Sequence, residues 1–244
     1  MIIPGPANEP NNRYGSRRFD RTQATSGIPR GTDILRIDGH VSKVPKNRHR
    51  QRRYLRNIVR PMIININSWP GVGELSVAEL LQRRIGGRLL DNHAIYNVAF
   101  GLCEFGSPEF FETVRAVRRV AFNQASKIPA STPIILTSAY ANTPFGRENW
   151  AAIRAMADAR STPLCNVVLD CAIEENIRRL VSPQRARLRK LAEPQTLVAM
   201  RNKGELIDDE GDHRLRFDVT ELSAEQSSNR ISEWLKERGL IQQE

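Results

Sequence analysis

The stretch from Met62 to Ile85, MIININSWPGVGELSVAELLQRRI, constrains the fold more than any other. The apolar run Met62 to Ile66 reads as a buried strand over residues 62–67. Pro70, Gly71 and Gly73 then make a turn, and Val77, Leu80 and Leu81 follow at helical spacing over residues 75–85. A strand entering a helix through a Gly-rich turn is the architecture of a phosphate-binding loop. Glycines let the backbone curl so that successive N–H groups face an anion, and the helix adds the positive end of its dipole. Against the pattern G-x-x-x-x-G-K-[ST], the chain reads Ser68-Trp69-Pro70-Gly71-Val72-Gly73-Glu74-Leu75, followed by Ser76. The second glycine is in place. Ser68 stands at the first, Glu74 at the lysine, and Leu75 at the hydroxyl position, with a hydroxyl one residue later. On the pattern alone, a plain strand–helix turn of an α/β protein is an equal alternative.

The net charge of +10 is unevenly placed. Residues 1–61 hold 14 Lys/Arg against 4 Asp/Glu, whereas residues 62–244 hold 23 of each sign. The division predicts a basic, largely disordered extension over 1–61, rich in Pro, Arg, Asn and Gly, and one α/β domain over 62–244. The dense basic run Lys46 to Arg56 makes residues 43–60 a candidate contact for nucleic acid or another polyanion. A solvated tail is the plainer reading. So is an upstream extension of a domain that starts at Met62. Cys103, Cys165 and Cys171 are odd in number and lack metal-ligand spacing, which predicts a reduced, cytoplasmic protein. No stretch is long and apolar enough to span a membrane, and the N-terminus lacks a signal-like apolar run.

Downstream, strands and helices alternate. Gly86-Gly87 ends the first helix, and Arg88-Leu89-Leu90 is a short strand delivering Asp91, Asn92 and His93 to a loop. Residues 94–106 carry no clear period. Ser107-Pro108-Glu109 opens a helix with Phe110, Val114, Val117 and Ala121 on one face. Arg115, Arg118 and Arg119 lie off that face, as a solvated surface or as cations for an anionic substrate. Pro133–Thr137 and Leu164–Leu169 read as buried strands and Phe145–Arg160 as a helix between them, with Glu174–Val181 a short helix after. Residues 192–213 are polar and acidic, without EF-hand spacing. Leu215–Val219 alternates like a fifth strand, and Ser223 to Gln226 is a capping box before a final helix ending at Gly239. Such alternation argues for a parallel sheet covered on both faces.

SWPGVGELS followed by GGRLLDNHAIYNVA resembles a group of small bacterial P-loop proteins. They are related to the shikimate, gluconate and chloramphenicol kinases and often carry the label "AAA family ATPase". Members read G-W-P-G-V-G-K-L-T, then L-L-D-N-H. Leu75 and Ser76 fit the group, while Ser68 and Glu74 depart from it. The resemblance runs from about Met62 to the C-terminus. It implies a P-loop NTPase three-layer sandwich, with a five-stranded parallel sheet in the order 2-3-1-4-5. It also implies ATP and Mg²⁺ as cofactors. The nucleotide would lie on Trp69, Pro70, Gly71, Val72, Gly73, Glu74, Leu75 and Ser76, with the Trp69–Gly73 backbone at the β-phosphate and the Ser76 hydroxyl on Mg²⁺. Asp91 falls where related kinases place a carboxylate at the acceptor hydroxyl, as candidate base, with Asn92 and His93 orienting substrate. Residues 182–190 fall at the lid, where Arg185, Arg187 and Arg189 would bring charge to the transferred phosphate. Thr220–Leu222 would border the adenine.

Two function classes follow. One is an ATP-dependent small-molecule or nucleoside kinase. The other is a catalytically inactive P-loop relic acting by interaction, with polyanion binding through the basic tail as a third possibility. Glu74 divides them. At about 4 Å and an effective dielectric of about 20, a lysine–phosphate pair is worth about 4 kcal/mol per unit charge. A carboxylate in its place reverses that sign.

Overall fold

The computed structural model describes residues 59–183, 192–208 and 211–242. Strand β1 (Ile63–Ser68) is buried at every position, and helix α1 (Glu74–Ile85) follows the glycine turn. Next come β2 (Arg88–Leu90), α2 (Asn92–Leu102) and α3 (Pro108–Ala125). After them come β3 (Ile134–Ser138), α4 (Pro144–Arg160), β4 (Leu164–Asp170) and α5 (Ile173–Leu180). The described chain ends with α6 (Pro194–Lys203), β5 (His213–Asp218) and α7 (Ala224–Glu237).

All strand pairings are parallel, and the sheet order is β2-β3-β1-β4-β5, as the resemblance implies. Because successive strand residues face opposite sides, β1 feeds two cores. Ile64 and Ile66 pack with Val77, Leu81, Ile231 and Leu235 under α1 and α7. Ile63 packs with Val114, Trp150 and Ile153 under α3 and α4. The result is a three-layer sandwich with every strand C-terminus at one edge.

Two stretches without a clear sequence signal are helical. Residues 92–102 form α2, so Asn92 and His93 belong to its first turn and not to a loop, with Asp91 at the N-cap. Within the polar segment 192–213, α6 buries Leu197. Arg118 is a correction of another kind. Only 6% exposed, it donates to Asn149 and Glu148 inside the α3–α4 contact, and Arg115 pairs with the same carboxylate at 2.9 Å. These two cations tie α3 to α4, whereas Arg119 is exposed. Upstream of β1, Val59 bridges Ile241 and the Arg60 N–H donates to the Leu240 carbonyl.

The site-facing end of β1 is fixed by Asn67. Fully buried, it bonds to backbone groups through both ends of its amide. Its Oδ1 accepts from the Tyr140 N–H at 2.7 Å and lies 3.1 Å from the Ser138 hydroxyl. Its Nδ2 donates to the carbonyls of Tyr140 and Ile207 at 2.9 and 3.1 Å. Replacing it orphans buried backbone groups, each worth about 1–3 kcal/mol. Asn67→Leu is therefore expected to lower unfolding free energy by about 3 kcal/mol in urea titration, against less than about 1 kcal/mol for exposed Arg119→Ala.

Candidate functional site

The turn between β1 and α1 is held from outside by α5. Asn176, itself buried, donates from Nδ2 to the Pro70 carbonyl at 3.0 Å. Its Oδ1 accepts from Arg201 of α6, whose guanidinium also pairs with Asp170 and lies over the Trp69 ring. Arg179 reaches three carbonyls, Val72, Val219 and Thr220, each at 2.9 Å, and pairs with Glu175. One guanidinium thus ties the glycine turn to the loop between β5 and α7.

Two glycines are required by the turn. Gly71 has φ 98°, and a Cβ there would lie 3.0 Å from Asn176 Nδ2 and 3.1 Å from Leu180 Cδ1. Gly73, the N-cap of α1, has φ 110° with open space around it. Gly71→Ala carries both strain and collision and Gly73→Ala strain alone. Chemical denaturation should show the first losing about 2–3 kcal/mol and the second about 1 kcal/mol.

Glu74 folds back into this turn. Its Oε2 accepts from the Gly73 N–H at 3.3 Å and lies 3.0 Å from the Ser68 hydroxyl. The Ser68 oxygen is also 3.1 Å from the Trp69 carbonyl, so its single proton serves one acceptor at a time. The two residues that depart from the loop pattern therefore touch one another. A carboxylate at the first turn of a helix is stabilised by the dipole and the free N–H groups. Here it takes an N–H that an incoming anion would use.

A cleft of about 340 Å³ opens beside the turn. Val72, Gly73, Ser76 and Val77 line one side, and Val219, Leu222, Ser223 and Ala224 the other. Glu175, Arg178 and Arg179 complete it. Glu175 is held well below the usual carboxylate range, at about 2, chiefly by hydrogen bonds from Arg178 and then Arg179. A depressed folded-state value means stability that is present above the unfolded value, about 4.5, and is lost as pH falls toward 2. The stability gap between wild type and Glu175→Gln should accordingly be constant from pH 7 to about 5 and shrink below it, measured by thermal unfolding across pH.

Asp91 lies at the same sheet edge. The Thr137 hydroxyl, at the end of β3, donates to Asp91 Oδ1 at 2.6 Å and accepts from the Asn92 N–H at 3.0 Å. With β3 between β2 and β1, two inter-strand spacings of about 5 Å separate Asp91 from β1 at Ile66. Asp170 Oδ1 accepts from the Cys171 N–H, and the carboxylate pairs with Arg201 and Arg216, a loop-capping role. Among the described residues, no three His, Cys, Asp or Glu gather around a common point. From the site residues, Ser76 would be the ligand this chain offers to Mg²⁺. Arg185, Arg187 and Arg189 lie outside the described residues. The hydrogen bonds by which Asn176, Arg179 and Arg201 hold the turn carried no sequence signal. Each depends on partners 25 or more residues away.

No family model matches the sequence, and no curated protein matches it. Solved structures do share its fold. A candidate kinase from Chloroflexus aurantiacus is 17% identical, with a TM-score of 0.56 over 74% of this chain and 97% of its own. A sugar kinase from Janibacter is 16% identical, with a TM-score of 0.50 over 76% of this chain and 99% of its own. The fold is that of the P-loop kinases. At such identities the likeness is one of architecture. No helix among the described residues is long and apolar enough to cross a membrane.

Proposed function

We propose that residues 62–244 form a nucleotide-binding domain of the P-loop kinase type, an ATP-dependent phosphotransferase by class, with Glu74 at the lysine position of the loop. The observation that carries this reading is the cleft itself. It runs from Gly73 and Ser76, at the start of α1, to Leu222 and Ala224 beyond β5, and so joins the phosphate loop to the loop proposed to border a base.

In this reading the Trp69–Gly73 backbone faces the β-phosphate and Ser76 meets Mg²⁺. The metal would neutralise phosphate charge when bound. Asp91 is the proposed base for the acceptor hydroxyl of a small-molecule substrate. Thr137 fixes its Oδ1, which leaves Oδ2 for the proton to be taken. Arg185, Arg187 and Arg189 would bring lid charge to the transferred group. Asp91→Asn is then expected to lower turnover by about 10²–10⁴-fold with nucleotide affinity unchanged, because a base acts on the acceptor and not on ATP. Steady-state kinetics beside calorimetric binding checks it, and equal turnover removes Asp91 from the mechanism.

The second reading is a relic that keeps the fold and works by interaction, including polyanion contact through residues 43–60. The internal placement of the Glu74 carboxylate on Gly73 and Ser68 favours it. Calorimetry with Mg·ATP separates the two. Micromolar binding accompanied by phosphotransfer supports the kinase reading, whereas millimolar or absent binding supports the relic. Any polyanion binding should fall steeply with salt, since each neutralised phosphate releases counterions.

A further inference from the structure

The two departures from the phosphate-loop pattern are a hydrogen-bonded pair, and the described cations of the cleft beside them are already paired. Ser68 and Glu74 meet at 3.0 Å, and the same Glu74 oxygen accepts from the Gly73 N–H. Ser68 is fully buried at the end of β1, so its hydroxyl is held within reach of that oxygen. A glycine at that position would supply no such donor, and a lysine at 74 would supply no such acceptor. Each substitution makes sense of the other: Glu74 acts as an internal anion in the loop, and Ser68 holds it there.

Along the cleft the two described cations are already engaged. Glu175 pairs with Arg178 at 2.6 Å and with Arg179 at 2.5 Å. Arg179 is further committed to the carbonyls of Val72, Val219 and Thr220. Among the described residues lining the cleft, the Glu175 carboxylate thus stands between the guanidinium groups of Arg178 and Arg179, while the Glu74 carboxylate lies in the loop beside it. An oligophosphate needs a surplus of positive charge and free N–H donors. In the described site both cations are engaged by Glu175, the loop carries the Glu74 carboxylate, and the Gly73 N–H already has its acceptor. What the cleft does offer is about 340 Å³ of space, aliphatic walls from Val72, Val77, Val219, Leu222 and Ala224, and hydroxyls from Ser76, Ser223 and Ser227. Such a lining, mostly apolar with a few convergent polar groups, suits a neutral ring system with hydroxyls.

We infer that this cleft takes an uncharged, nucleoside-class ligand in preference to a nucleoside triphosphate, with the Glu74 carboxylate standing in the loop where phosphate would otherwise bind. The inference rests on the second reading, a cleft of nucleotide type whose loop no longer takes phosphate, and names its ligand class.

The test is calorimetry on the full chain with three probes: adenosine, Mg·ATP and inorganic tripolyphosphate. The wild type should bind adenosine about tenfold or more tightly than Mg·ATP and show no tripolyphosphate binding. Ser68→Gly combined with Glu74→Lys should gain tripolyphosphate binding and raise Mg·ATP affinity about tenfold or more. Its adenosine affinity should stay within about threefold, because the base-side walls are untouched. Glu74→Gln, which removes the charge and keeps the size, covers the case in which the double variant fails to fold. It should raise Mg·ATP affinity several-fold at constant adenosine affinity. A wild type that prefers Mg·ATP, or that prefers adenosine by less than about tenfold, overturns the ligand class and leaves the nucleotide-type cleft standing. Binding of neither adenosine nor Mg·ATP overturns both. A Glu74→Gln protein with unchanged Mg·ATP affinity overturns the role given to Glu74.

Discussion

The fixed position of the turn from Ser68 to Glu74 is the constraint on which the site depends. It starts from a strand buried on both faces, where Asn67 bonds to backbone groups through both ends of its amide. It ends at a helix whose N-cap is a left-handed glycine. Between those anchors, Asn176 and Arg179 hold the carbonyls of Pro70 and Val72 against α5. A loop fastened at both ends and along one side has little freedom to reshape itself around a ligand. Its chemistry is therefore set by which side chains face it.

Glu74 gains its weight from that rigidity. In a mobile loop a carboxylate at this position would swing into solvent. Here it meets the Gly73 N–H and the Ser68 hydroxyl within hydrogen-bonding reach, at the positive end of α1. The geometry stabilises the empty loop and works against an added anion through the same groups. Arg179 links this end of the cleft to the other, because the guanidinium that fastens Val72 also fastens Val219 and Thr220.

Much of the architecture was legible in the chain. Apolar runs in β1, β3 and β4 announced a parallel sheet covered on both faces, and β5 showed its half-buried alternation. Ser107 and Ser223 marked helix starts, and both accept the capping N–H bonds their patterns predict. Helices α2 and α6 were not legible. Each buries only one or two side chains, so neither writes a strong 3.6-residue period. Arg118 misled for the opposite reason. A charge in a helix reads as solvated, and its burial needs Glu148 and Asn149 from a helix 30 residues on.

By itself the sequence determined the strand–turn–helix at residues 62–85, the alternation of elements, and the substitution of serine and glutamate at two positions of the loop, since these are properties of local order and residue type. The order 2-3-1-4-5 was available only through resemblance, because parallel strands joined by helices can be arranged in several ways without altering any local signal. Only the tertiary structure decided that Ser68 and Glu74 are partners. Six residues apart, they meet because the glycine turn reverses the chain between them. It also decided that Asn176, Arg179 and Arg201, unremarkable in the chain, carry the loop. Hydrogen bonds between distant segments are set by how the layers stack, and a sequence records the donors without recording which acceptors the fold will bring to them.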